Sequence, residues 1–498
     1  MASIASTTFV NNDHKSLIQL LPEVIALLLI VTLSASVAHP QRPIDKARLA
    51  RQVQSEFLPA WRGYKKHAWS HDELRPLTRG YHDWYGQSLL MSSVDALDTM
   101  ILMGLTDEAQ QTREYVVKNL SFDKDIYVQN FEITIRLLGG LLSAYQLSGD
   151  RRLLVLAEDL GTRLLPAFES ATGLPYRFVN LKTGKVRGAE TNPAEAGTLL
   201  IEFGTLGKLT HQPKFYQKAK HALMEIYRRR SPLGLVGTWI NVETGEWTNM
   251  DTHISGAIDS YYEYLLKCWL LFGDRDCKKM WSESISAINK YLADEVKRDK
   301  GSSPENELWY GHADMNSGSR TATTYGALDA FFPALLALSG DLERAKRLQA
   351  SSFKMWLKHD IEPEEIDYQT MEVVNAGYAL RPEIVESTYY LYQYTKDPAY
   401  LKMGQRLWKS FVKYCHTEAG YAHLQSVITK EKTDKMDVCT DDLGSAVHRD
   451  ARDTGECSVE GKKLAGKSRA NKSSDEGGGT SNHPIAGQKL VREGRRSR

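Results

Sequence analysis

Neither sign of charge is in excess. Lys and Arg number 63 against 62 Asp and Glu, and no long block is basic, so the electrostatic footprint of a nucleic-acid binder is missing. Cysteine is scarce as well: Cys268, Cys277, Cys415, Cys439 and Cys457 form no CxxC pair and no Cys/His cluster with zinc spacing. The chain also lacks GxSxG, a P-loop, HExxH and a GxGxxG that opens a helix after a strand, which removes the footing for several hydrolase, kinase and oxidoreductase readings. The Asp95 and Asp98 pair in VDALDT is too short for an EF-hand loop. Aromatic residues disappear after Tyr421, with none in the last 77 positions, although they make up 9% of the whole. What is present is 498 residues, 42% hydrophobic, with 10 Trp and 24 Tyr, which describes a globular enzyme or binding protein.

The N-terminus carries its own signal. Val24 to Leu33 is an apolar run (VIALLLIVTL) followed by the small residues Ser34 to Ala38, which predicts a signal peptide over residues 1–38 with cleavage after Ala38. The alternative is a signal anchor, since Leu17 to Ala38 is about long enough to span a bilayer, but Pro22 and Glu23 sit inside it. Either reading sends the body into an oxidising compartment. There an odd number of cysteines predicts a disulfide plus a leftover thiol, and the sequons at Asn119 and Asn471 become acceptors for glycans. The expected organisation is a body over residues 39–436 and a disordered, low-complexity tail over residues 437–498.

Within the body, apolar residues recur at spacings of three and four, which predicts an all-α fold. Apolar, small-residue-rich segments open near acidic residues at Val94, Asn130, Ala194, Ile254, Tyr325 and Leu380. More polar amphipathic stretches lie between them. Buried and half-wet helices in alternation describe a toroid of helical hairpins, with inner helices lining an axis and outer ones facing solvent.

Three acidic clusters on these apolar segments could carry chemistry, because burying an unpaired carboxylate is costly. Glu132 and Arg136 stand four apart on one helical face, as a structural ion pair or a functional one. Asp259 heads a strongly apolar helix with Glu263 one turn on, where a capping role is the bland reading. Glu383 and Glu386 follow Arg381 and Pro382 at the start of an aromatic-rich helix. Carboxylates converging on one axis are what a glycosidase needs: one acid for the leaving oxygen and one base for water, roughly 6.5–9.5 Å apart if the anomeric centre inverts. His253 and His312 read as surface or capping residues.

At these residues the sequence resembles class I α-mannosidases, glycoside hydrolase family 47, and within them the ER degradation-enhancing α-mannosidase-like branch. The matching blocks run from Tyr64 to about Met436 and include HDELRP, VDALDT, NFEITIRLLGGLLSAY, IEFGTL, GAIDSYYEYLLK and LRPEIVESTYYLYQ. The resemblance implies an (α/α)7 barrel, a Ca²⁺ at its base and hydrolysis of terminal α-1,2-linked mannose with inversion. It further implies an endoplasmic reticulum lumen setting, misfolded glycoproteins bearing high-mannose N-glycans as substrates, and an ER oxidoreductase as partner. Carried over residue by residue, Glu132 matches the general acid, Asp259 a second catalytic carboxylate and Glu383 the base. Arg136, Glu195, Arg381 and Glu386 match glycan contacts. One departure stands out: after Asp434-Lys435-Met436 the family's last inner helix and its Ca²⁺-ligating Thr are not found, so the barrel is expected to lack its last hairpin and no metal ligand is assigned. A catalytically inactive glycan-binding or chaperone-like adaptor is the alternative reading.

Overall fold

Glycine followed by aspartate closes three of the helical hairpins. Gly149, Gly273 and Gly340 adopt φ of 73°, 69° and 97°, left-handed values that end one helix. Asp150, Asp274 and Asp341 then accept backbone N–H groups as caps of the next. A connection this short forces the two helices to run antiparallel. The computed structural model describes residues 44–297 and 306–436, so the predicted signal peptide or anchor, the tail, Cys439, Cys457 and Asn471 lie outside the described residues.

A first helix, α1 (Lys46–His67), is followed by six hairpins. The first pairs α2 (Met91–Leu102) with α3 (Thr106–Asn119). In the second, α4 (Asn130–Ile133) continues through a π turn at Thr134–Leu138 into α5 (Gly139–Ser148), and α6 (Arg151–Leu164) returns. The third joins α7 (Pro193–Gly197) and α8 (Leu200–Thr210) to α9 (Pro213–Arg228). Then come α10 (Asp259–Phe272) with α11 (Arg275–Tyr291), α12 (Phe332–Ser339) with α13 (Leu342–His359), and α14 (Glu383–Thr395) with α15 (Pro398–Cys415).

The two helices of a hairpin differ in kind. In α12 every residue from Phe332 to Ala337 is buried, whereas α6 buries Leu153, Leu154, Ala157, Leu160, Gly161 and Leu164 and leaves its remaining face wet. These are the inner and outer layers expected from the sequence. Because each outer helix runs back, all inner helices start at the same end. Short antiparallel strands, which the all-α expectation did not include, occupy the long connections at that end, where a turn of chain must cross from one hairpin to the next. They include β1 (Tyr127–Gln129), β2 (Phe178–Asn180), β3 (Asp251–Thr252), β4 (His312–Asp314) and β5 (Arg320–Ala322). A three-stranded sheet runs in the order β5-β4-β3.

The expected loss of a whole hairpin needs correction. Helix α1 spans the interval between the sixth hairpin and the first: Trp61 donates to Glu108 at 3.1 Å, Tyr64 reaches Ser93, Tyr421 donates to Glu56 at 2.9 Å, and Lys46 bonds Tyr392. Its amphipathic face, with Trp61 and Tyr64 buried, makes it an outer helix. Among the described residues no inner helix accompanies it, and Val385 and Tyr389, four apart on α14, stay 46% and 57% exposed. Cys268 and Cys277 form a disulfide between α10 and α11, and Cys415 is a buried thiol. No helix among the described residues is long and apolar enough to cross a membrane.

Candidate active site

Because the inner helices share a starting end, residues in their first turns are gathered from distant parts of the chain. Glu132, Glu195, Asp259 and Glu383 all stand in such first turns. Positive helix ends favour carboxylates there. The backbone is strained on approach: Leu90, Ala257 and Leu380 take φ of 55°, 73° and 58° shortly before α2, α10 and α14. Each costs on the order of 1–3 kcal/mol and persists only where the surroundings hold it.

Glu132 is buried and accepts the Arg136 Nε–H at 2.8 Å, the pair expected from their spacing. Arg136 sits within the π turn that follows Glu132, a helix irregularity common at functional sites. Arg136 also reaches Asp95 at 3.5 Å and lies over the Trp84 ring at 4.9 Å, two partners that sequence reasoning missed. Glu195 is buried beside this group. It accepts hydrogen bonds from Gln129 at 3.0 Å and from Arg177 at 3.1 Å, while burial raises its pKa against the pull of Arg177.

Helix α7 is tied to the next inner helix through the Ala194 N–H, which donates to the Ala257 carbonyl, and through Thr198 to Ser260. Asp259 does not cap its helix in the expected sense. Its Oδ1 accepts the N–H and the hydroxyl of Ser260, and burial pushes its pKa up to about 6. Arg381 acts on both Asp259 and Glu383 while donating twice to Glu364 Oε2, at 3.1 and 3.2 Å. Burial pushes Glu383 to about 8 against the pull of Arg381, and its Oε2 is buried with no hydrogen-bond partner. Asp259 and Glu383 keep a solvent-facing edge while protein encloses them, as side chains lining a recess do.

Glu386 lies one turn further along α14. It belongs with Glu263 and Lys267, which form an ion pair on α10. Two further acids went unread in the sequence. Asp329, held at about 7 by burial, accepts the Gly326 N–H at 2.8 Å. Glu362 is fully buried with both oxygens unpartnered, and burial raises it well above the carboxylate range. The run EPEE around it gave the one available signal. Two open hollows of about 540 and 670 Å³ lie elsewhere, around α11 near Trp269 and Pro232, remote from these acids.

An α-helical hairpin fold that gathers carboxylates with Arg and Trp at one end has the parts a glycoside hydrolase uses. The family model for glycosyl hydrolase family 47 matches residues 56–439, and the chain belongs to that family. It is similar to alpha-mannosidase I MNS4 of Arabidopsis thaliana, 37% identical over 433 residues, covering 83% of this chain and 67% of that protein. It is also similar to the ER degradation-enhancing alpha-mannosidase-like protein 2 of Homo sapiens, 35% identical over 409 residues, covering 79% and 68%. Among solved structures, the alpha-1,2-mannosidase from Trichoderma reesei superposes with a TM-score of 0.70 at 26% identity, covering 78% of this chain and 90% of that one.

The Ca²⁺ implied by the resemblance takes six to eight oxygen ligands from carboxylates, backbone and amide carbonyls and water. Among the described residues, the groups of three or more His, Cys, Asp or Glu side chains placed to share an ion all contain His or Cys, while Glu362 and Glu383 leave buried carboxyl oxygens without a hydrogen-bond partner. The described residues therefore assemble no cage of three or more carboxylates for Ca²⁺, and no step below runs through it.

Proposed function

We propose that this chain removes terminal α-1,2-linked mannose from high-mannose N-glycans of misfolded glycoproteins in the endoplasmic reticulum lumen, with inversion. The observation that carries the reading is the collection of Glu132, Glu195, Asp259 and Glu383 at one end of the inner helices, bridged by Arg136, Arg177 and Arg381. The names of the relatives support the substrate class and compartment. Glu132 is the acid that protonates the departing oxygen, Glu383 the base that takes a proton from water, and Asp259 a second carboxylate that stabilises positive charge developing on the ring. Arg136, Glu195, Arg381 and Glu386 orient glycan hydroxyls. The catalytic body occupies residues 39–436, with residues 1–38 for targeting and 437–498 as a tail.

The test is mannose release from a Man9 glycan by the full chain beside Glu383→Gln. Turnover that falls by about 10²–10⁴-fold in the variant supports hydrolysis. Equal glycan binding by both proteins with turnover in neither supports the adaptor.

A further inference from the structure

Strands β3 and β4 bring together two histidines that the hydrolytic reading does not use. Their register, Asp251 opposite Asp314 and Thr252 opposite Ala313, continues to set His253 beside His312. The two rings lie 4.4 Å apart at 32°. The expectation that these histidines are lone surface or capping residues is therefore corrected: His253 is buried, and the two form a pair. His312 is anchored in its turn. Its Nδ1 lies 2.7 Å from Asp251 Oδ2, and Asp251 Oδ1 accepts the Thr321 hydroxyl at 2.6 Å.

Hydrogen bonds around His253 fix which nitrogen carries its proton. The Thr238 hydroxyl gives its own proton to the Asp251 carbonyl at 2.6 Å, so toward Nε2, 3.3 Å away, it acts as acceptor and the ring proton sits on Nε2. Nδ1 keeps its lone pair, and the Ser255 N–H donates to it at 3.2 Å. Burial, helped by His312, pushes His253 down to about 3, so the ring stays neutral at physiological pH. The bond to Ser255 is the link that Asn and Asp side chains make to the backbone N–H two residues on.

Ser255 passes this constraint on to Asp259. Its carbonyl accepts the N–H of Ile258 at 3.1 Å and of Asp259 at 2.9 Å, and its hydroxyl lies against Asp329. Inside this turn stands Ala257, whose φ of 73° is a left-handed value that a residue with a Cβ holds only under constraint. The Ala257 carbonyl accepts the Ala194 N–H, so the turn also carries the helix of Glu195 with it. We propose that His253 is a positioning residue for Asp259: through its Nδ1 lone pair it holds the turn from Ser255 to Asp259 and so keeps the carboxyl in place. This role rests on the hydrolytic part given to Asp259 above.

The test ranks two replacements in the full chain. Leucine fills the space of the imidazole better than asparagine but offers no acceptor, whereas asparagine carries an oxygen that reaches the N–H two residues on. His253→Leu should lower kcat for mannose release from a Man9 glycan by about 10²-fold while Man9 binding stays near the parent's, and His253→Asn should recover most of that loss. Binding of deoxymannojirimycin, a mannose ring with a protonated amine in place of its oxygen, should follow the same order, because that charge faces Asp259. Circular dichroism checks that each variant is folded. If His253→Leu is not, Thr238→Val decides the matter: it removes the acceptor at Nε2 with little change of shape and should lower kcat about fivefold, the weight of one hydrogen bond. A role in packing alone reverses the order, with asparagine worse than leucine, and overturns the proposal, as does equal turnover in all folded variants. A parent chain that binds the iminosugar without turnover sinks hydrolysis, yet the order of binding still supports or overturns the role of His253. A parent chain that does neither overturns both.

Discussion

A carboxyl group can act as a base only after giving up its proton, so the environment of a single residue sets a pH dependence. Burial holds the proton on Glu383 up to about pH 8, with Arg381 opposing. If Glu383 is the base, kcat/KM must rise as pH increases toward 8, because the deprotonated fraction grows about tenfold per unit below that value. A profile measured on a soluble mannose-containing glycan that falls over the same interval would instead give Glu383 the acid's role and Glu132 the base's. Replacing Arg381 with Met should move the rising limb to still higher pH, since the guanidinium is the group that favours the ionised form.

At the scale of elements, what the sequence made legible followed from distance along the chain. Glu132 and Arg136 were readable as a pair because four positions on a helix suffice to bring them together. Helices, their alternation of inner and outer kinds and their starting acids could be read from periodicity. Arg177, Glu364 and the pair of histidines could not, because each reaches its partner from a connection whose path depends on hairpins elsewhere. The short strands were hidden for the same reason: two to four residues carry no periodicity of their own. Helix α1 was underread, since its position between the two ends of the described body is fixed by a backbone approach invisible in sequence. A Cβ placed on Gly63 would sit 1.8 Å from the Ala419 carbonyl oxygen. Gly63→Ala should therefore lever α1 away from the turn after α15 and lower stability by about 2–3 kcal/mol, read as a drop in denaturation midpoint. Unchanged stability would mean that α1 does not close the interval between the sixth and first hairpins.

For the molecule as a whole, gathering acids at one end of an apolar body has a thermodynamic consequence. Burial raises Asp72 and Asp259 to about 6, Asp329 and Glu202 to about 7, and Glu383 to about 8. In the unfolded chain these carboxyls ionise at ordinary values, 3.8 for Asp and 4.5 for Glu. Between those values and the raised ones the folded state binds more protons than the unfolded state, so stability falls as pH rises. His253 works in the opposite direction: its folded value near 3 lies below the ordinary 6.5, so stability is lost as pH drops below 6.5. The five carboxyls outweigh the one histidine above about pH 4.5, so thermal unfolding should show a higher Tm at about pH 5.5 than at about pH 8. Glu383→Gln removes a carboxyl that holds its proton up to about pH 8. It should raise stability at neutral pH by about 2 kcal/mol, flatten the decline between about pH 4.5 and pH 8, and leave stability below about pH 4.5 nearly unchanged. A variant that loses turnover while gaining stability in this pH-dependent way would identify Glu383 as a carboxyl held in the body at a cost for the chemistry it performs. A variant whose Tm profile tracks the parent at every pH would show that its proton is as free in the folded chain as in the unfolded one.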